Sequence, residues 1–295
     1  MNSFQKVIKN IVTATLITLI ICFIAFLIEL GIEINSWVHK EHNFTFPWER
    51  SSKSTEVTVT TGGSVRGYTN VSALSITCET YHLVIDAKSN SGQVEVSYCS
   101  DEENVSIEQQ KHTLCISQKK SFDVFSFVKG DGAWGNTGTI TVSLPKDFYL
   151  NKANITTGSG NSTIENLSLE KGTFSTRDGY VQVTNLFAQN TDITTGDGNV
   201  IFDNVIFNNT NVNGGNGSLS FTGRFYNDAN FDIGQGELTL IMYGSRDAYG
   251  IDIQKGNGDI TIDGEDYENV PIEEYGTHHI SLKNGIGDCA MTFVD

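Results

Sequence analysis

The stretch Ile193-Thr-Thr-Gly196-Asp-Gly198-Asn-Val200-Ile-Phe202 decides the fold, because its pattern recurs seven times after residue 150. In almost every copy a leading apolar residue is followed by glycines three and five positions later, and by apolar residues seven and nine positions later. A repeat of this length is typical of a solenoid, in which successive windings stack to bury one face. The leading apolar residues are separated by 19, 19, 19, 19, 22 and 29 positions: Ile155, Phe174, Ile193, Val212, Phe231, Ile253 and Leu282.

The apolar pair that follows each turn predicts a short strand with one buried face. Val200 and Phe202 stand two positions apart, so their side chains point to the same side of a strand. The residues between the members of such pairs are mostly polar, as Gln182, Ser220 and Thr239 show. The sequence therefore predicts an all-β fold, a single-stack β-solenoid of coils of about 19 residues joined by Gly-x-Gly turns.

Glycine and asparagine recur at the predicted corners of each coil. The second glycine of the pattern never varies, whereas Arg177 replaces the first glycine in one copy. A sharp bend between short strands favours glycine either for a positive φ or to leave room for the backbone of the next coil. Asn166, Asn185 and Asn204 also stand nineteen apart. They predict either a ladder of stacked amides or a turn conformation that asparagine tolerates.

Residues 55–150 show the same alternation without a fixed period. Pairs such as Leu83 and Ile85 alternate with polar neighbours, and glycine-containing turns such as Asn90-Ser-Gly92 separate the segments. We interpret residues 55–150 as irregular lead-in strands and residues 151–295 as regular coils of one extracytoplasmic β-solenoid, which occupies residues 55–295.

Two kinds of motif give the chain a family resemblance. A strand that ends in Leu-Pro, Ile140-Thr-Val-Ser-Leu-Pro-Lys-Asp147, leads into coils with turns such as Thr-Thr-Gly158-Ser-Gly160 and Lys-Gly256-Asn-Gly258-Asp. This arrangement resembles the bacterial DUF4097 family, whose members are sometimes labelled "putative adhesins", over roughly residues 55–295. The resemblance implies a β-solenoid on the outer side of a bacterial envelope, often behind one membrane helix, with some members in envelope stress systems. It implies no catalytic residues.

The first 54 residues predict a membrane anchor followed by a stalk. Ile11–Ile28 carries no charge, and as a helix it would span about 27 Å, close to the thickness of the hydrocarbon core. Lys6 and Lys9 precede it and Glu29 and Glu33 follow it, which keeps the amino terminus in the cytoplasm. A cleaved signal peptide is the alternative, but no small-x-small cleavage site follows the apolar run. We predict a single-pass cell-membrane protein with a cytoplasmic tail (1–10), a transmembrane anchor in the lipid bilayer (11–34) and a juxtamembrane stalk (35–54).

The acidic composition bears on nucleic acid as a partner and on two kinds of site, a calcium site and a hydrolytic pair of carboxylates. With 35 acidic and 19 basic residues the net charge is −16, which disfavours nucleic acid. Turns such as Gly256-Asn-Gly258-Asp259 are similar to calcium-binding repeats, but the residues after the second glycines are too mixed to supply converging oxygens in most coils. Asp178 and Asp197 stand in register and could form a hydrolytic pair on one face, as in an enzyme acting on envelope glycans.

The cysteines leave the redox state open. Cys78, Cys99, Cys115 and Cys289 lie in the predicted exported region without metal-type spacing, so both disulfides and buried free thiols are compatible with the sequence. Every repeated pattern in the sequence has a role in stacking one coil on the next. We therefore predict a non-enzymatic adhesion, sensing or scaffold module of the bacterial envelope, without catalytic, cofactor-binding or metal residues, that contacts envelope polymers or other surface proteins. The alternatives are a glycan-acting enzyme and a calcium-binding surface protein.

Overall fold

The computed structural model describes residues 55–56, 64–99, 104–118, 138–269 and 276–294. These residues form one 22-stranded sheet together with two short 3₁₀ turns, Arg246–Ala248 and Tyr267–Asn269. Across these ranges no helix has the length and apolarity needed to cross a bilayer. The predicted membrane segment Ile11–Ile28, like the rest of residues 1–54, lies outside them.

The strands are short, and most of them alternate buried and exposed residues. In chain order they are β1 (Thr55–Glu56), β2 (Ser64–Tyr68), β3 (Ala73–Cys78), β4 (His82–Ser89), β5 (Val94–Cys99), β6 (Val105–Gln110), β7 (Thr113–Gln118), β8 (Thr139–Pro145), β9 (Tyr149–Thr157), β10 (Ser162–Glu165), β11 (Ser168–Thr176), β12 (Val181–Thr184), β13 (Phe187–Thr194), β14 (Val200–Gly214), β15 (Leu219–Phe225), β16 (Asp228–Ile233), β17 (Leu238–Tyr243), β18 (Tyr249–Gln254), β19 (Ile260–Ile262), β20 (Glu265–Asp266), β21 (His278–Asn284) and β22 (Cys289–Val294).

The sequence repeat becomes a parallel ladder between windings. Phe174 pairs with Ile155 on one side and with Ile193 on the other, and Val212 follows Ile193 in the same register. Each step of nineteen residues therefore places equivalent side chains one strand apart, and the apolar member of each set turns into the core. The predicted all-β solenoid architecture is confirmed for residues 151–269 and 276–294.

The order of the windings along the stack differs from their order along the chain. Leu282 of β21 pairs with Phe231 of β16 on one side and with Ile253 of β18 on the other. On the far side of the turn, β22 likewise lies between β17 and β19. The last winding of the sequence is therefore inserted between the two windings that precede it in the chain.

The same insertion occurs at the amino-terminal end of the stack. Ile76 of β3 pairs with both Ile116 of β7 and Ile155 of β9, and β4 lies between β8 and β10. The lead-in strands thus contribute two windings of their own. Within the described ranges nine windings follow one another in the order β7–β8, β3–β4, β9–β10, β11–β12, β13–β14, β14–β15, β16–β17, β21–β22 and β18–β19.

In the middle of the stack, aromatic rings from successive windings meet in the core. Phe202 and Phe221 stack with parallel rings at a centroid distance of 4.8 Å, which matches the spacing between neighbouring strands. Phe207, Phe225 and Phe231 pack edge-on around Phe221, and all five side chains are buried. Burial of this continuous column of rings favours the parallel register over any shifted one.

Asparagine provides the left-handed backbone at one corner of the windings. Asn166, Asn185 and Asn204 have φ values of 59°, 57° and 52°. Their side chains also form the predicted ladder: Asn185 Nδ2 donates to Asn166 Oδ1 at 2.9 Å, and Asn204 Nδ2 donates to Asn185 Oδ1 at 2.6 Å. Asn166 Nδ2 in turn donates to Asp86 Oδ1 at 3.1 Å. Both reasons considered for asparagine are therefore confirmed at these positions.

The Gly-x-Gly corner needs glycine for space and not for its φ. The positive-φ glycines of the described residues are Gly223, Gly244 and Gly264, and Gly198 is not among them. A Cβ atom at Gly198 would lie 2.2 Å from the carbonyl oxygen of Gly179 in the preceding winding. Of the two reasons considered for this glycine, close approach of the next backbone is confirmed and positive φ is wrong.

The amino-terminal end of the stack is closed by antiparallel strands and by one side chain. β6 pairs with β7, and β5 continues the sheet from β8 in antiparallel orientation. The turn that joins β3 to β4 directs three backbone donors to a single side-chain acceptor. Gln118 Oε1 accepts from the N–H groups of Glu79, Thr80 and Tyr81 at 2.8, 2.9 and 3.4 Å, and only 1% of Gln118 is exposed.

We expect Gln118→Ala to lower the free energy of unfolding by about 2 kcal/mol, because the three backbone donors lose their shared acceptor. Urea denaturation followed by circular dichroism measures this change. Gln118→Glu retains an acceptor oxygen and should recover most of the loss, and Gln182→Ala on an outer face should cost little. Equal losses for Gln118→Ala and Gln182→Ala would contradict this role.

Candidate functional site

One outward sheet face carries polar side chains in two regular tracks, and we call it the polar face. It is built from β11, β13, β14, β16, β21 and β18, which follow one another along the stack. Its residues flank the inward-facing leading apolar residue of each winding, one on either side, because successive side chains of a strand alternate between faces. The first track comprises Thr173, Asp192, Asn211, Asn230, Ser281 and Asp252, and the second Ser175, Thr194, Asn213, Asp232, Lys283 and Gln254.

Hydrogen bonds between windings order the middle of the polar face. Asn230 Nδ2 donates to Asn211 Oδ1, and Asn211 Nδ2 donates to Asp192 Oδ1, both at 3.0 Å. In the second track, Lys283 Nζ and Asp232 Oδ2 form an ion pair at 2.7 Å. These contacts hold neighbouring side chains at the strand spacing, so the face presents fixed groups to a ligand.

A groove of about 470 Å³ lies on this part of the polar face. Its floor is formed where Ile193, Val212 and Phe231 lie beneath the two tracks. The rest of its lining is polar: Asp192, Thr194, Asn211, Asn213, Asn230, Asp232, Gln254, Ser281 and Lys283.

The groove offers both donors and acceptors. Asn211 uses one N–H and one lone pair of its carbonyl oxygen in the track, and its amide retains a second N–H and a second lone pair. Hydroxyl groups of Thr194 and Ser281 can also donate or accept. The arrangement can bind a ligand through several hydrogen bonds repeated at the winding spacing.

The two carboxylates singled out in the sequence lie on the exposed surface of the stack. Asp178 and Asp197 lie in the corresponding turns of successive windings, and both are exposed. Asp197 Oδ1 accepts a hydrogen bond from Asn216 Nδ2 at 2.6 Å. The carboxylate of Asp197 is thus bonded to a neutral amide of the next winding.

Acidic residues follow the second glycines of the last three windings of the stack. Because the last winding of the sequence is inserted, Asp288 lies between Glu237 and Asp259. Asp288 Oδ1 accepts from the backbone N–H of Asp259 at 2.9 Å. Among the residues that the structure describes, no group of three or more His, Cys, Asp or Glu side chains is arranged to hold a metal ion.

The cysteines whose side chains the structure describes are free thiols with little reactivity. Cys78 and Cys289 are buried, and Cys115 is partly buried. Burial raises the pKa of Cys78 to about 11 and that of Cys289 to about 12, so both remain protonated and poorly nucleophilic at neutral pH. The side chain of Cys99 lies outside the described part of the chain.

A profile of the Toastrack DUF4097 family matches residues 71–273, which is more than half of the chain. The chain belongs to the Toastrack DUF4097 family. Its match runs from the inserted amino-terminal winding to the turn after β19, so it includes the whole polar face except β21. The family resemblance inferred from the Leu-Pro strand and the Gly-x-Gly turns is confirmed, while the membrane anchor inferred with it stays a prediction.

Several crystal structures are similar to this Toastrack chain at low sequence identity. A "putative adhesin" from Bacteroides fragilis is 13% identical, with a TM-score of 0.42, and the match covers 80% of this chain and 98% of that protein. A "putative cell adhesion protein" from Clostridium sporogenes is 14% identical (TM-score 0.35), with 82% and 100% covered. A "putative lipid binding protein" from Parabacteroides distasonis is 12% identical (TM-score 0.33), with 80% and 98% covered. No curated protein matches the chain.

Proposed function

We propose that this Toastrack protein is a non-enzymatic binding module of the bacterial cell envelope, which uses the polar face in adhesion, sensing or scaffolding. The observation that carries the proposal is the two-track arrangement: hydrogen-bonding groups repeat from winding to winding around Asp192, Asn211 and Asn230 and line an open groove. A catalytic site needs a few groups that converge with matched protonation states, whereas these groups are spread along the stack. Such spreading suits the recognition of an extended ligand.

The proposal includes a membrane tether. The uncharged segment Ile11–Ile28 is long enough to span a bilayer as a helix, and the lysines before it keep the amino terminus in the cytoplasm. In this arrangement residues 35–54 form a stalk, and the solenoid faces outward, where envelope polymers and surface proteins are its partners. The net charge of −16 keeps nucleic acid out of this set.

The binding function is tested by retention of envelope material on the full chain reconstituted in nanodiscs. We expect wild-type protein to retain sonicated cell-envelope fragments, and the double variant Asn211→Ala/Asn230→Ala to retain them at least tenfold less. The matched control Gln182→Ala/Thr239→Ala changes two outward residues of a different sheet face and should bind like wild type. Equal retention of envelope fragments by both double variants would contradict the assignment of binding to the polar face.

A further inference from the structure

We infer that the groove on the polar face binds a chain of neutral sugars that runs along the stack, across the strands. This inference rests on the proposed binding function and names the ligand class of the same site. It follows from the repeat distance, the hydrogen-bonding character and the charge of the groove.

The repeat distance suits a polymer that lies perpendicular to the strands. Equivalent side chains of neighbouring windings are about 4.8 Å apart, the spacing of hydrogen-bonded strands. This spacing is close to the length by which one sugar ring advances an extended glycan. A ligand on β13, β14, β16 and β21 would therefore present one sugar to each winding and meet a similar set of groups at every step.

The hydrogen-bonding groups of the groove match those of sugar hydroxyls. A hydroxyl group donates one hydrogen bond and accepts others, so it is best satisfied where donors and acceptors alternate. The amides of Asn211, Asn213 and Asn230 supply both, and the carboxylate of Asp192 supplies strong acceptors at one end. A peptide strand pairs instead with the open edge of a sheet through its backbone, and this groove lies on a sheet face.

The charges of the groove favour a neutral chain. Lys283 is paired with Asp232 at 2.7 Å, and Asp192 accepts from the amide of Asn211. The remaining charge at the groove is negative and adds to the net charge of −16. An anionic polymer would therefore be repelled, and a bound neutral polymer would be insensitive to salt because no ion pairs are exchanged.

The test treats the envelope fragments before they meet the full chain in nanodiscs. One portion is oxidised with periodate and digested with a muramidase, so that both diol-bearing sugars and the amino-sugar backbone are cut. A second portion is digested with a broad protease. We expect the glycan treatment to lower retention at least tenfold and the protease to change it less than twofold. Soluble dextran, mannan or β-glucan should compete at least tenfold better than polygalacturonate, and retention should change less than twofold between 0.05 and about 0.5 M salt.

Three results separate the inference from the function on which it rests. Retention that depends on Asn211 and Asn230 but is abolished by protease and spared by the glycan treatment would overturn the sugar ligand and leave the binding function intact. Retention that falls steeply with salt, or that polygalacturonate competes best, would overturn the neutral character of the ligand. Retention that is unchanged in Asn211→Ala/Asn230→Ala would contradict both the sugar ligand and the binding function of the polar face.

Discussion

Gly198→Ala is expected to lower the free energy of unfolding by about 3 kcal/mol or more, although it adds only one methyl group. The added Cβ would lie 2.2 Å from the carbonyl oxygen of Gly179. Carbon and oxygen atoms cannot approach so closely, so one of the two windings must move. The next winding packs as closely on the other side, since a Cβ built at Gly217 would lie 2.0 Å from the carbonyl oxygen of Gly198.

The backbone cannot relieve this clash locally. Gly198 N–H donates to the carbonyl oxygen of Arg177 at 3.0 Å, and Gly217 N–H donates to that of Gly196 at 3.1 Å. Separating the windings at the corner would lengthen such hydrogen bonds and open the core beside Val200, which is 1% exposed. Urea denaturation of the full chain, followed by circular dichroism of the sheet, measures the loss.

Gly92→Ala is the matched control, because a Cβ there would meet no atom within 4 Å. Gly92 lies in the turn between β4 and β5, and its substitution should change the free energy of unfolding by less than about 0.5 kcal/mol. If Gly198→Ala and Gly92→Ala had the same small effect, close contact between windings would not be the reason for glycine at this corner.

The distribution of glycine and asparagine shows what the sequence can and cannot predict about a corner. The nineteen-residue step of Asn185 and of Gly198 predicted that both would lie at equivalent places in each winding, and the register confirms it. The sequence could not tell which corner needs the positive φ, because both residues tolerate it. The structure gives the positive φ to Asn185 and the close approach to Gly198.

The order of the last two windings could not be predicted from the repeat. Ile253 and Leu282 begin nearly equivalent windings, since each is followed by a Gly-x-Gly turn and an apolar pair. Either winding could pack on Phe231 with the same register, so the packing of the core does not discriminate strongly between them. The choice depends on the path of the connections, which has no periodic signal. The two lead-in windings were not recognised for a similar reason, because their strands are not separated by nineteen residues.

The polar face has a sequence signal outside the turns, at the positions that precede the leading apolar residues. Asp192, Asn211 and Asn230 stand nineteen residues apart, directly before the leading apolar residues Ile193, Val212 and Phe231. The carboxylates considered as a hydrolytic pair, Asp178 and Asp197, lie in the turns instead. Reading the neighbours of each buried residue as columns would have identified the first track. The groove itself depends on the insertion of β21, which the sequence did not indicate.

Phe221→Ala is expected to lower the free energy of unfolding by about 3–5 kcal/mol, the range for removal of a fully buried aromatic side chain. Phe221 is 0% exposed and contacts the rings of Phe202, Phe207, Phe225 and Phe231 at centroid distances of 4.8–6.5 Å. Its removal would leave a cavity between two windings. The cavity cannot collapse, because parallel hydrogen bonds on both sides fix the distance between windings, so the neighbouring rings lose their contacts without replacement.

Phe293→Ala tests whether this cost comes from position in the stack or from loss of any phenylalanine. Phe293 is only partly buried and packs beside Tyr249 at 5.4 Å near the carboxyl-terminal end. Its neighbours can rearrange toward solvent, so the expected loss is about 1 kcal/mol. Urea midpoints of the two variants measure the difference. If Phe221→Ala lowered the free energy of unfolding no more than Phe293→Ala does, the windings would be able to close around a cavity. Windings that can move in this way would no longer hold the side chains of the polar face at a fixed spacing.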